Sequence, residues 1–307
     1  MLAVRVPATS ANLGPGFDVL GLAVSLYCEV TMTLSEEDHF YYQDAKTRSS
    51  ERETRALPDT PDNLIHEGFR KVYESLGEQA PKVTFEVHNA IPLARGLGSS
   101  SAALVAGAAL ADKYLGEPLG RTGVFQLAAR LEGHPDNVAP AVFGGFTLSA
   151  GYHANNAEAI TYLCEHLPLP EAWQLVFAVP DFELLTSESR SVLPDNYDRS
   201  DVVFTSSRTA LWSLAVSQNN PELLRVASQD VLHESYREKL IPNMAACRQK
   251  LLDVGALAVY LSGAGPTLAA ICLGEVVTTQ CEVIMRQFVG EAGAVLNLRA
   301  SEGYQYL

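Results

Sequence analysis

Between Pro92 and Ala102 the chain reads PLARGLGSSSA, and that stretch decides how the rest is understood. It follows VTFEV, where Val83, Phe85 and Val87 alternate on one face as in a strand, and it precedes an Ala/Leu-rich run, Ser100 to Leu115, that reads as a helix broken only by Gly107. Gly96 and Gly98 free the backbone so that successive N–H groups can converge. Ser99, Ser100 and Ser101 add hydroxyls, and the helix that follows turns its positive end toward whatever is bound. The chemistry is that of a phosphate loop. It is neither GxxxxGK[ST], since no Gly-Lys dipeptide occurs in the chain, nor a complete GxGxxG, since Ser101 stands where a third glycine would be. A serine-rich helix cap alone would need only one of the three hydroxyls.

Three further segments share this loop chemistry. PATSANLGPGFDVLG, Pro7 to Gly21, is expected to be a glycine-shaped connection between the strands LAVRV and LAVSLYCEVTMTL, with Asn12 and Asp18 as candidate ligand contacts. EGHPDNVAPAVFGG, Glu132 to Gly145, follows a second helix, Thr122 to Leu131. A carboxylate at a helix C-terminus calls for a cation nearby, which Mg²⁺ would supply for Glu132. His134, remote from any other His or Cys, is read as structural. LSGAGPT, Leu261 to Thr267, between the strand-like LAVYL and LAAIC, is explained as well by a hairpin turn as by a ligand loop.

Composition narrows the class. The 307 residues are 47% hydrophobic and 19% charged, near the globular average, and a chain this long exceeds what one core comfortably holds, so two lobes are expected, 1–155 and 156–307. The seam is read at the polar stretch Gly151 to Glu158, and Ser35 to Asp62 is read as an irregular surface excursion. Beyond the seam come the strand WQLVFAVP, helices at 201–218 and 221–232, and a closing α+β segment. Thirty-six Asp+Glu against 22 Lys+Arg leave a net charge of −14, which repels polyphosphate backbones and anionic membranes, so no nucleic-acid and no membrane partner is expected. Five cysteines without ligand spacing, no secretory h-region and no uninterrupted apolar span predict reduced thiols and a cytoplasmic location.

Taken together, PATSANLGPGFD, PLARGLGSSSA, EGHPDNVAP and LSGAGPT resemble the motif blocks of the GHMP small-molecule kinases. LLTSESRSVLP, Leu184 to Pro194, and YREKLIP, Tyr236 to Pro242, are similar to segments of the homoserine kinase family within it. The resemblance implies a two-lobed α+β fold, an N-terminal lobe of the ribosomal protein S5 domain 2 type and a ferredoxin-like C-terminal lobe. It implies ATP and Mg²⁺ as cofactors and L-homoserine as the small-molecule partner, phosphorylated on its hydroxyl to O-phospho-L-homoserine, and it leaves a homodimer open. On this resemblance Pro92, Leu93, Ala94, Arg95, Gly96, Leu97, Gly98, Ser99, Ser100, Ser101 and Ala102 wrap the phosphates, with Asn63 near the adenine. Ser100 and Glu132 hold the metal, and Leu261 to Thr267 steadies the phosphate loop. Asn12, Asp18, Asn137, Thr186, Arg190 and Arg237 line the amino-acid site, with Asp18, Asn137, Thr186 and Arg190 nearest the chemistry. A zwitterionic substrate suits this set, because arginines take a carboxylate in two-point contacts and amides or carboxylates take an ammonium. The alternatives are another GHMP kinase or decarboxylase, such as a mevalonate-pathway enzyme, and a catalytically silent nucleotide sensor.

Overall fold

The computed structural model describes residues 1–44, 63–154 and 159–307. A seven-stranded sheet is built from β1 (Leu2–Ala11), β2 (Leu20–Leu34), β3 (His39–Asp44), β4 (Val83–Asn89), β5 (Phe146–His153), β6 (Ile160–Leu167) and β11 (Gln305–Tyr306). β2, fifteen residues long, is its spine: β1 and β4 pair with it antiparallel along its length, and β5 pairs with its first residues. Helices α1 (Leu64–Ser75), α2 (Ser99–Tyr114), α3 (Gly120–Glu132) and α4 (Val138–Phe143) belong to this half. α2 is almost entirely buried from Ser101 to Asp112, which explains a sequence apolar all round rather than on one stripe. Gly107 lets α1 cross it closely; a Cβ there would lie 1.9 Å from the Ile65 carbonyl oxygen.

The second sheet has the order β10-β7-β9-β8, from β7 (Trp173–Val179), β8 (Ala258–Leu261), β9 (Leu268–Leu273) and β10 (Ala294–Leu298), with every neighbouring pair antiparallel. In chain order that is 4-1-3-2, the split βαβ arrangement expected of the C-terminal lobe. Helices α5 (Thr186–Ser191), α6 (Arg199–Ser217), α7 (Pro221–Ala227), α8 (Glu234–Arg237) and α9 (Met244–Asp253) lie between β7 and β8, and α10 (Glu275–Val289) between β9 and β10. Both faces of this sheet are covered. Leu175 and Phe177 join a core that continues through Trp212 and Phe146 into the first sheet, whereas Val176 and Ala178 pack with Met244, Cys247 and Met285. The apolar run WQLVFAV therefore has no alternation to read.

Several expectations are corrected. The strand β1 runs on through PATSA to Ala11, so the first loop is only Asn12 to Val19; Thr9 and Ser10 are polar yet fully buried, satisfied by partners from distant loops. Within the supposed excursion from Ser35, residues His39–Asp44 form an edge strand parallel to β4, and 45–62 lie outside the described residues. Residues 151–153 are not a linker: they belong to β5, which pairs with β6 in the first sheet, and the second sheet starts only at Trp173, while 155–158 lie outside the described residues. The helix expected over 221–232 stops at Ala227.

Candidate active site

Four loops and one short helix converge on a cleft: Asn12 to Val19, Ala94 to Gly98, Gly133 to Asn137, the 262–267 hairpin tip, and α5. The hairpin tip is clamped to the first loop, with Gly263 N donating to the Ala11 carbonyl at 3.0 Å and Asn12 Nδ2 donating to the Gly263 carbonyl at 3.0 Å. The other end of the Asn12 amide accepts from Asp18 N at 3.0 Å. Asn12 and Asp18 both sit at positive φ, +69° and +58°, a conformation these two residue types tolerate better than most. A hydroxyl chain ties the same tip to the phosphate loop. The Gly96 carbonyl can only accept, so Ser262 Oγ donates to it at 2.6 Å and in turn accepts from Ser10 Oγ at 2.7 Å.

Gly98 is the N-cap of α2 at φ +67°, and no side chain caps the helix, which leaves its first-turn N–H groups to the cleft. Nothing larger fits there: a Cβ on Gly98 would lie 1.9 Å from Thr9 Oγ1. Thr9 Oγ1 donates to Asn137 Oδ1 at 2.8 Å, and Thr9 N to the Leu97 carbonyl at 3.1 Å, so β1 sets the position of the loop. In the first turn of α2, Ser100 Oγ donates to Glu132 Oε1 at 2.7 Å. Glu132 is the last residue of α3, and burial raises its pKa against the opposing bond from Ser100. A partly buried carboxylate beside a hydroxyl is a hard-oxygen pair whose ionised form would gain from a cation.

At the other end of the cleft, Arg190 on α5 makes a two-point contact with Asp18, Nη2 to Oδ1 at 2.6 Å and Nη1 to Oδ2 at 3.1 Å. Arg237 is 1% exposed, and burial lowers its pKa to about 10. It donates to the carbonyls of Ser189 and Gly263 at 3.1 and 3.0 Å. The Phe17 ring lies under both guanidiniums, 5.1 Å from Arg190 and 5.3 Å from Arg237. His134 lines the cleft, its Nδ1 2.6 Å from Asp136 Oδ1; burial works against its positive charge, but Asp136, with Glu132 and Asp18, outweighs burial and raises its pKa.

Most of the residues singled out from the sequence meet here: Asn12, Asp18, Ala94 to Ser100, Glu132, Asn137, Thr186, Arg190 and Arg237. Others do not. Asn63 caps α1, its Oδ1 accepting from Ile65 N at 3.1 Å and its Nδ2 bonded to His66 Nδ1 at 2.8 Å. Leu93 is half-exposed away from the cleft, and Ser101 and Ala102 are buried within α2. Arg95 lines the cleft but spends its guanidinium on the Pro180 and Leu93 carbonyls. Thr9, Phe17, Asp136 and Leu184 were not singled out; Phe17 and Asp136 adjoin residues that were, which was the one signal available. A larger cavity, about 870 Å³, between Phe143, His166, Trp173 and Arg299 contains none of these residues, and Arg121 at its wall is held by the Val142 and Tyr304 carbonyls.

The GHMP kinase N-terminal domain model matches residues 63–145, and the GHMP kinase C-terminal model matches 213–280. A homoserine kinase from Thermus thermophilus is 45% identical over 302 residues, 97% of this chain and 96% of that protein. The chain belongs to the homoserine kinase family of the GHMP kinases. Another homoserine kinase, from Desulfitobacterium hafniense, is 42% identical over 271 residues, covering 88% of this chain and 87% of its own. The crystal structure of the homoserine kinase from Cytophaga hutchinsonii superposes with a TM-score of 0.83 at 26% identity, over 100% of this chain and 97% of that one. The fold is thus that of a homoserine kinase, and among the described residues no helix is long and apolar enough to cross a membrane.

Proposed function

We propose that the protein transfers the γ-phosphate of ATP to the hydroxyl of L-homoserine, giving O-phospho-L-homoserine, and that the cleft described above is where it does so. The observation that carries this is the juxtaposition, in one cleft, of an uncapped helix N-terminus behind Gly96 and Gly98 with two arginines and two aspartates at the far end. The first half suits a polyphosphate; the second suits a zwitterion. Family membership supports the same assignment, since the relatives that cover nearly the whole chain are named homoserine kinases.

In this reading the N–H groups from Gly98 into the first turn of α2 hold the phosphates, and the hairpin tip keeps Gly96 in place through Ser262. The oxygens of Ser100 and Glu132 fit Mg²⁺, because a partly buried carboxylate and a hydroxyl 2.7 Å apart beside the phosphate loop are hard ligands of the kind that cation takes. Bound there, Mg²⁺ would neutralise charge on the transferring phosphoryl group. Arg190 and Arg237 receive the substrate carboxylate, while Asp18 and Asn12 face its ammonium side; Thr186, the first residue of α5, lies beside Arg190 to orient the substrate. A loose phosphoryl-transfer transition state calls for alignment and neutralisation more than for a strong base. Asn137 is an amide that takes no proton, so its part is to orient: its Oδ1 accepts from Thr9 next to Gly98. Five free thiols, four of them buried, support a cytoplasmic enzyme.

A coupled assay of ADP release with homoserine, mevalonate and galactose in parallel tests the assignment. Homoserine alone should give Mg²⁺-dependent turnover; faster turnover of either other alcohol would refute it.

A further inference from the structure

The His233 imidazole is fully buried, and both of its nitrogens are engaged. Nε2 lies 2.7 Å from the Gly14 carbonyl oxygen, and Nδ1 lies 3.1 Å from Arg237 Nη1. A carbonyl can only accept and a guanidinium can only donate. One species satisfies both: the neutral imidazole with its proton on Nε2. An imidazolium, or the opposite tautomer, would set an N–H against the Arg237 donor.

The two partners belong to different parts of the cleft. Arg237 is four residues further along, on the same face of the short helix that His233 precedes, and that turn is fixed by Asp230, whose Oδ2 accepts from His233 N and Glu234 N at 2.9 and 2.8 Å. Gly14 lies in the turn at 13–15 that leads directly into the turn closed on the Gly16 carbonyl, which carries Phe17 and Asp18. It has no room to slide, since a Cβ on Gly14 would come within 2.5 Å of the Ser228 carbonyl oxygen. The Phe17 ring closes the circuit, 5.3 Å from the His233 ring and 5.3 Å from the Arg237 guanidinium.

We propose that His233 is a positioning residue for the amino-acid half of the cleft: a single imidazole, in one fixed tautomer, holds both the Arg237 guanidinium and the Gly14 turn that presents Phe17 and Asp18. The inference rests on the proposed role of Arg237 at the homoserine carboxylate. The groups facing the ring are the Gly14 carbonyl, Phe17, Arg237, and the charges of Arg248 and Asp230, whose Oδ2 is 3.9 Å from Nε2. Desolvation, with the two arginines, outweighs Asp230 and holds the imidazole well below its usual pKa. Without His233, Arg237 would keep its two carbonyl acceptors but lose the second acceptor of its Nη1, and the Gly14 carbonyl would lose its donor, leaving the bond from Thr209 Oγ1 to the neighbouring Pro15 carbonyl at 2.9 Å to tie that turn to the C-terminal half.

Two measurements test this on the full-length enzyme. Heteronuclear NMR of nitrogen-labelled histidine should report His233 as the neutral Nε2–H tautomer throughout about pH 6 to 8; an Nδ1–H tautomer or an imidazolium in that range overturns the proposal, whatever any variant does. In kinetics, His233→Phe keeps a ring but no nitrogen, and should raise the KM for homoserine roughly ten- to a hundredfold while the KM for ATP stays within about twofold. His233→Asn, whose amide oxygen can stand near Nδ1, should recover part of that loss. A folded His233→Phe enzyme with an unchanged homoserine KM, or with both KM values raised alike, would refute it; should that variant not fold, the tautomer decides alone. Arg237→Ala separates the two levels. If it leaves the homoserine KM untouched, the assignment of the amino-acid site fails; if it raises that KM while His233→Phe does not, only the role of His233 fails.

Discussion

The Asp18 carboxylate and the Arg190 guanidinium meet in a two-point contact across the cleft, joining the β1–β2 loop to α5 over 172 residues of sequence. The geometry is the one a free amino acid's carboxylate would make with the same arginine, so Asp18 holds Arg190 in a plane suited to a second carboxylate. Both side chains are about one-third exposed, 33% and 38%, so the pair adds little to folding, on the order of 1 kcal/mol or less. Its value lies in orientation.

Arg190→Ala should therefore lower kcat/KM for homoserine about thirtyfold to several thousandfold, the range for truncating one partner of a desolvated charge pair, with almost no change in melting temperature. Arg190→Lys should rescue only in part, because an ammonium cannot reproduce the planar contact. Steady-state kinetics with homoserine and with its carboxamide analogue provide the check: wild type should prefer homoserine strongly, and Arg190→Ala should scarcely distinguish the two. Equal discrimination by both enzymes would remove Arg190 from the carboxylate.

Glu132→Gln keeps the shape of the Ser100 partner and removes its charge. Turnover should fall about a hundredfold or more, by analogy with the loss of one stabilising group in a transition state, and the Mg²⁺ concentration for half-maximal rate should rise. Near-normal turnover with unchanged Mg²⁺ dependence would show that this carboxylate does not serve the metal.

What could be read in the sequence was what is local. Gly96, Gly98 and the serines are consecutive, so their meaning survives without knowing the fold, and Glu132 is conspicuous as a charge ending a helix on the wrong side of its dipole. Thr9 was not legible as a support of the phosphate loop, because its side-chain contact spans 128 residues to Asn137, and Ser262, 166 residues from Gly96, was reached only through the resemblance of its segment. His233 was opaque for the same reason: its partner Gly14 is 219 residues away. Asn63 illustrates the converse, since its local chemistry, an Asn opening a helix, is what the structure finds it doing. Strand β3 was hidden because HFYYQD lies at a sheet edge, and its pairing with β4 is parallel and needs a crossover that no turn signal announces.

Gly98→Ala should be far more damaging than a glycine change of equal backbone strain. At φ +67° an alanine costs about 1–2 kcal/mol anywhere, but here its Cβ also collides with Thr9 Oγ1 and must displace the loop from β1. We expect kcat/KM for ATP to drop about a hundredfold, as for a displacement near 1 Å in a catalytic array. Gly116→Ala, at φ +84° with nothing within 4 Å, is the control and should lose only stability. Similar ATP kinetics for the two variants would mean that Gly98 does not shape the nucleotide site.

Glu234 gives a pH signature of stability. It is buried beside Arg248 and the Leu261 N–H, and burial raises its pKa from 4.5 to about 7. Between those values the folded protein binds more protons than the unfolded chain, so this group makes stability fall as pH rises from about 4.5 to about 7, with no further change above. Urea melts of wild type and Glu234→Gln across that window should show the stability difference shifting steadily in favour of the variant as pH rises. A difference independent of pH would mean that Glu234 keeps an ordinary carboxyl pKa.

The central claim, phosphoryl transfer from ATP to the homoserine hydroxyl in this cleft, is tested most directly by phosphorus NMR of the reaction mixture. With ATP, Mg²⁺ and L-homoserine, the wild-type enzyme should produce a phosphomonoester resonance in step with ADP, and proton coupling should place the new phosphate on the side-chain CH₂O group; with Glu132→Gln the resonance should be nearly lost. ADP formed without a homoserine phosphomonoester, or a phosphomonoester formed from mevalonate or galactose but not from homoserine, would contradict the account.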